Sequence, residues 1–184
     1  MAEHVILFAG PMGAGKTTAI RSLSDIEVVS TEAANTDRSI ADKDTTTVAL
    51  DYGEIGVNAG EKIRLYGVPG QRRFDFMWSI LKDRAMGLLL LVNADAPDVA
   101  ASVREHLDAF GGIVDRGGVV IGLTRSDVHG PGGVAIARDA AASVFPDRPT
   151  PVFEVDARSA EQMQVMLMTL IADVETREMM KGLR

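Results

Sequence analysis

A chain of 184 residues with 46% hydrophobic and 24% charged side chains can bury a sizeable core and has the composition of a soluble globular protein. The net charge of -7 argues against nonspecific binding to nucleic acid or an anionic membrane, and the lack of cysteine excludes a disulfide framework, a thiolate metal site and a cysteine nucleophile. The longest apolar run, Met86 to Val92, is far short of a membrane span, and neither end carries a leader or a lipidation signal. A cytoplasmic protein without membrane anchor is expected, residues 1–184 forming one domain.

The chain opens on His4-Val5-Ile6-Leu7-Phe8-Ala9, a short apolar run that predicts a buried strand over 3–9. Gly10-Pro11-Met12-Gly13-Ala14-Gly15-Lys16-Thr17 follows at once and fits the phosphate-binding P-loop pattern. A helix is predicted over 16–24. Glycines let the loop wrap tightly so that backbone N–H groups face a phosphate, and the helix N-terminus adds partial positive charge. Phosphate contacts are expected along Gly10, Met12, Gly13, Ala14, Gly15, Lys16, Thr17 and Thr18. Lys16 is expected to reach the β- and γ-phosphates, and the Thr17 hydroxyl to bind Mg²⁺.

Residues 25–45 are polar and aperiodic and read as a loop, with room for a short strand at Glu27-Val28-Val29. Thr46–Val57 and Glu61–Val68 read as a hairpin, because Asn58-Ala59-Gly60 is too short for a parallel crossover. Met86–Val92 and Val119–Leu123 are buried strands, and Pro151–Val155 is the last one. Pro97–Phe110 predicts a helix with Val99, Val103, Leu107 and Phe110 on one stripe, capped by Asp95 and Asp98 and closed by Gly111-Gly112. Gly133–Val144 is an alanine-rich helix. Ser159 to about Met180 is the last helix, with Met163, Met166, Leu170 and Val174 inward. In Arg72–Lys82, Phe74, Met77, Trp78 and Leu81 share a face while Phe76 and Ile80 lie elsewhere, so this helix is fully buried or binds a partner. Its place after residue 71 favours a partner. His4, His106 and His129 lie too far apart in sequence to predict a histidine metal site.

Four more stretches follow strands at telling places. They are Thr45-Thr46-Thr47, Tyr66-Gly67-Val68-Pro69-Gly70-Gln71, Thr124-Arg125-Ser126-Asp127 and Asp156-Ala157-Arg158. Together with the P-loop they make the chain resemble a small Ras-like GTPase over nearly its whole length. More narrowly, it resembles the bacterial gliding-motility-type and conservon-type GTPases, of which the gliding-motility type has a similar Val-Pro-Gly-Gln run and also lacks the usual switch II aspartate. The resemblance implies the small G-protein fold: α/β, with a mixed, mostly parallel sheet of about six strands and helices on both faces. It implies that Thr47 binds Mg²⁺ and the γ-phosphate, with Thr45 and Thr46 as alternatives. Gly70 would give its N–H to the γ-phosphate, and Gln71 would orient the attacking water. Asp127 would accept two hydrogen bonds from guanine, Arg125 (a lysine in most of the family) would pack over the base, and Ala157 in the 156–158 loop would meet its O6. Asp127 as the cap of a turn is the plainer alternative. Met12 stands where Ras-like proteins keep glycine and would crowd an incoming arginine finger.

The function so implied is binding of GTP and GDP with Mg²⁺, and hydrolysis of GTP to GDP and phosphate. Catalysis falls to Gln71, Lys16 and Thr47, and loops 33–47 and 69–80 respond to the nucleotide. Turnover is expected to be slow unless a Roadblock-type partner stimulates it. The alternatives are a nucleotide switch with negligible hydrolysis and a P-loop nucleoside or nucleotide kinase. Gly67 stands where the metal-side aspartate is missing. Hairpin register places it opposite residues 50–52, so Asp51 either substitutes for that charge or is a surface residue.

Overall fold

The computed structural model describes residues 3–30, 50–58, 60–68, 84–129 and 132–182. In chain order the elements are β1 (Glu3–Ala9), α1 (Lys16–Leu23), β2 (Val29–Ser30), β3 (Asp51–Asn58), β4 (Glu61–Gly67) and β5 (Ala85–Asn93). Then come α2 (Val99–Ala109), α3 (Gly111–Arg116), β6 (Gly118–Thr124), α4 (Ser126–His129), α5 (Gly133–Val144), β7 (Val152–Glu154) and α6 (Ala160–Gly182). One sheet of seven strands runs in the order β2-β3-β4-β1-β5-β6-β7. β3 is antiparallel to β2 and β4, and every other pairing is parallel.

The chain is therefore α/β with a mixed, mostly parallel sheet, as expected, but with seven strands instead of about six. The added strand is β2, two exposed residues that pair Val29 with Tyr52 and Ser30 with Asp51 at the edge of β3. It lies at the end of the short strand for which the sequence left room at Glu27-Val28-Val29, shifted so that only Val29 is shared. The hairpin stands where it was expected, with a described second strand of Glu61–Gly67. Its first strand begins at Asp51 among the described residues, and 46–49 lie outside them.

Two apolar layers cover the two faces. Leu88, Leu90 and Val92 of β5 pack with Val103 and Leu107 of α2, with Phe110 just after it, and with Ala137 of α5. Leu89 and Leu91 point the other way, into a cluster with Ala19 and Ile20 of α1 and Met163, Met166 and Leu170 of α6. A strand covered on both faces has no reason to alternate, which is why β5 reads as an unbroken apolar run. Met163, Met166, Leu170 and Val174 are all buried, as the spacing of the last helix predicts.

The helix expected over 97–110 needs one correction and has an unexpected successor. Asp98 alone caps it, its Oδ1 accepting from the Ala101 N–H at 2.7 Å, while Asp95 pairs with Arg125 at 3.5 Å. α2 does end before Gly111-Gly112, at Ala109 with Phe110 as its cap, but a second short helix follows at once. The chain turns at Phe110 and starts α3, because Ile113 and Val114 are fully buried there. The stop is Gly117, where a Cβ would come within 2.0 Å of the Met86 carbonyl oxygen. The expected helix over 72–82, with Trp78, lies outside the described residues. Among the described residues, no helix is long and apolar enough to cross a membrane.

Candidate functional site

β1 is flanked by β4 on one side and β5 on the other, so the strand order reverses beside it. α1 leaves β1 toward one face of the sheet and α2 leaves β5 toward the other. In open α/β sheets such a reversal opens a crevice at the carboxyl ends of the strands. The loop 10–15 sits there, between β1 and α1.

That loop needs its glycines. Gly10, Gly13 and Gly15 have φ of 141°, 76° and 95°, in the left-handed region that favours glycine. A Cβ at Gly10 would lie 2.0 Å from the Leu91 carbonyl oxygen, and one at Gly15 would lie 2.9 Å from the Ala157 Cβ. The loop is thus pressed onto β5 below and onto the 156–158 loop beside it. Lys16 folds back over the loop, its Nζ donating to the Gly10 and Pro11 carbonyls at 2.8 Å each. Burial brings its pKa down to about 8, against an opposing pull from the Asp51 carboxylate. Met12 projects outward and is 76% exposed.

Opposite the loop stands the end of β6. The Thr124 hydroxyl lies 3.1 Å from Asn93 Oδ1 and 3.2 Å from the Ala14 carbonyl, tying β6 to the glycine loop. Arg125 has a φ of 59°, the only positive value at a non-glycine residue among the described ones. Its guanidinium reaches back to the Gly13 carbonyl at 3.4 Å and to Asp95 at 3.5 Å. Asp127, in the first turn of α4, is exposed.

The third wall is the loop after β7. Ala157 is buried against Gly15. The Arg158 guanidinium holds Asp156 through bonds of 2.7 to 3.1 Å, and these bonds lower the Asp156 pKa to about 2. The Asp156 N–H donates to Gln162 Oε1 at 2.7 Å.

A cavity of about 720 Å³ lies between these three walls. It is lined by Gly13, Ala14, Gly15 and Thr18 from the loop and helix, by Thr124, Arg125 and Asp127, and by Asp156, Ala157 and Arg158. Three stretches far apart in the chain, each singled out in the sequence, thus meet in one pocket of a size that takes a small-molecule ligand. Ser126, Glu154, Val155 and Gln162 also line it and were not foreseen. The first three simply sit between or beside the recognised residues. Gln162 had a readable signal, the Ser159-x-x-Gln162 spacing of a helix start, and the Ser159 Oγ accepts from the Gln162 N–H at 3.3 Å.

Gly10, Met12, Lys16 and Thr17 belong to the same loop and helix start but not to the cavity lining. Thr17 Oγ1 donates to Asp51 Oδ2, and Ser30 Oγ donates to Asp51 Oδ1. Thr45, Thr46, Thr47, Gly70 and Gln71 lie outside the described residues. The oxygens gathered at Thr17 and Asp51 are the hard donors that Mg²⁺ takes, so this end of the site fits that ion in kind. Compared with protein-family models and with curated proteins, the chain matches none.

Proposed function

We propose that this chain is a P-loop nucleotide-binding switch of the small G-protein type, which binds GTP and GDP with Mg²⁺ and hydrolyses GTP slowly. The observation that carries the reading is the convergence of residues 13–18, 124–127 and 156–158 on one cavity at the strand-order reversal. A glycine loop at a helix N-terminus suits phosphate, and a carboxylate at the far wall suits a base with adjacent N–H donors.

In this reading the loop backbone and Lys16 hold the phosphates, while Asp127 accepts from two guanine N–H groups. The Arg125 stem packs over the base plane while its guanidinium is bound to the Gly13 carbonyl. The ion would be held by Thr17 and Thr47 and would neutralise charge on the phosphate oxygens. Gln71 orients the attacking water, and Gly70 gives its N–H to the terminal phosphate. A Roadblock-type protein is the proposed partner that speeds hydrolysis, on the strength of the sequence resemblance alone.

The test is identification of the nucleotide released on mild denaturation of the purified protein, followed by calorimetry with GTP, GDP and ATP. GDP or GTP in the release and at least a hundredfold preference for guanine over adenine are expected, since a site built around paired hydrogen bonds rejects a base that cannot make them. Equal binding of ATP and GTP would overturn the base assignment. Phosphoryl transfer to a nucleoside acceptor would instead identify a kinase.

A further inference from the structure

We infer that Asp51 positions the metal-binding hydroxyl of Thr17, supplying from β3 the carboxylate that Gly67 lacks on β4. The inference rests on the nucleotide-site reading above and deepens it.

Asp51 and Gly67 are direct partners in the antiparallel β3–β4 pair. A Cβ added at Gly67 would lie 3.0 Å from the Asp51 Cβ and 3.1 Å from its Oδ2. The Asp51 side chain therefore fills the space that a side chain at residue 67 would take. The same added atom would meet Ile20 Cδ1 at 3.0 Å, so that space opens onto α1. β3 comes this close to α1 because residue 53 is glycine. A Cβ there would lie 2.8 Å from Ile20 Cγ2 and from Ser24 Oγ.

Each Asp51 oxygen has its own hydroxyl donor. Ser30 from β2 holds Oδ1, and Thr17 gives its proton to Oδ2. A hydroxyl has one proton and two lone pairs. With the proton committed to Asp51, Thr17 keeps its lone pairs for a hard cation, and the carboxylate raises the electron density on that oxygen. An outer partner that orients a ligand in this way has a measurable share in metal affinity. β2, the short edge strand, acquires a purpose here, since Ser30 fixes the second oxygen and hence the rotamer of Asp51.

The test is fluorescence titration of mant-GTP and mant-GDP against Mg²⁺, and again in EDTA, with four proteins. They are the wild type, Asp51→Asn, Ser30→Ala and the double variant Asp51→Gly/Gly67→Asp. Asp51→Asn should raise the Mg²⁺ concentration for half-maximal mant-GTP binding about 10- to 100-fold. It should change mant-GDP little and should leave affinity in EDTA intact, because no phosphate contact is lost. The double variant moves the carboxylate across the strand pair into the same space and should recover the wild-type Mg²⁺ requirement to within a few-fold. Ser30→Ala should shift it less than Asp51→Asn. Matching Mg²⁺ titrations for Asp51→Asn and wild type would overturn the inference while leaving the nucleotide site standing. So would an equal loss with and without Mg²⁺, which marks a purely structural role. A wild type that binds neither nucleotide would remove the site itself, and the inference with it.

Discussion

Asp127 and Arg125 are neighbours in one wall of the cavity and carry different demands. Asp127 is exposed and free to meet a ligand. Replacing it with Asn swaps one acceptor for a donor, so Asp127→Asn should weaken GTP by about 100-fold or more and improve xanthosine triphosphate, the base with the reversed pattern. Calorimetry with both nucleotides checks this, and a mutant that loses both equally argues for a structural Asp127. Arg125 holds a left-handed backbone that costs an ordinary residue about 1–2 kcal/mol. Arg125→Gly and Arg125→Ala lose the same contacts to Gly13 and Asp95, yet the glycine variant should be the more stable by about 1 kcal/mol in urea denaturation. Asp127 was legible because its type and spacing after an apolar strand are local facts. The strain at Arg125 was not, and neither was the use of Asp95, whose partner lies thirty residues further along the chain.

Among elements, the strands were the easiest to read and the helix ends the hardest. β5 and β6 announce themselves because both faces are covered, and the β3–β4 register followed from counting residues across a short turn. α2 ends where the glycine pair places its end, but α3 went unread, because burial of Ile113 and Val114 rewards another helical turn straight after it. α2 also carries a polar residue that no motif flagged. His106 is buried at 6% exposure, and its ring N–H at Nδ1 donates to the Ser102 carbonyl at 2.8 Å. Burial lowers its pKa below the usual 6.5, and the nearby Lys16 adds to this, while the Ser102 and Gly10 carbonyls and Glu105 oppose it. Below pH 6.5 the unfolded chain binds a proton that the folded ring resists, so acid favours unfolding. The stability from the neutral ring is complete above that pH and is lost as pH falls. His106→Gln should flatten this limb of the stability curve between pH 6.5 and 5 while leaving stability at pH 8 within about 1 kcal/mol, as read by urea midpoints. An unchanged acid limb in the variant would assign it to carboxylates instead.

Over the whole molecule, the cavity keeps its shape only if α6 is seated, because the loop 156–158 leads directly into that helix and leans on the glycine loop at Gly15. The seat is built from missing side chains. A Cβ at Gly87 would lie 2.8 Å from Leu170 Cδ1, one at Gly118 would lie 2.7 Å from the same atom, and one at Gly122 would lie 2.8 Å from Met166 Sδ. Glycine within a strand weakens it in isolation and reads as a bulge or a close approach, so the sequence shows the oddity and not its cause. The inward stripe of α6 was legible, but the groove that receives it needed the folded sheet. Gly118→Ala forces an extra carbon against Leu170 and should cost about 1–3 kcal/mol. Leu170→Ala empties a fully buried site and should cost about 2–5 kcal/mol. Combined, the new methyl enters part of the space the leucine leaves, so the double variant should be less damaged than the sum of the singles by about 1 kcal/mol or more. Urea denaturation of the four proteins measures that coupling. Simple additivity would mean that Leu170 and Gly118 do not share the space, and that α6 can shift on the sheet without strain. The same variants carry a second readout, since a displaced α6 moves Ala157 away from Gly15. Nucleotide affinity should therefore fall in Gly118→Ala and recover partly in the double variant, although neither residue lines the cavity.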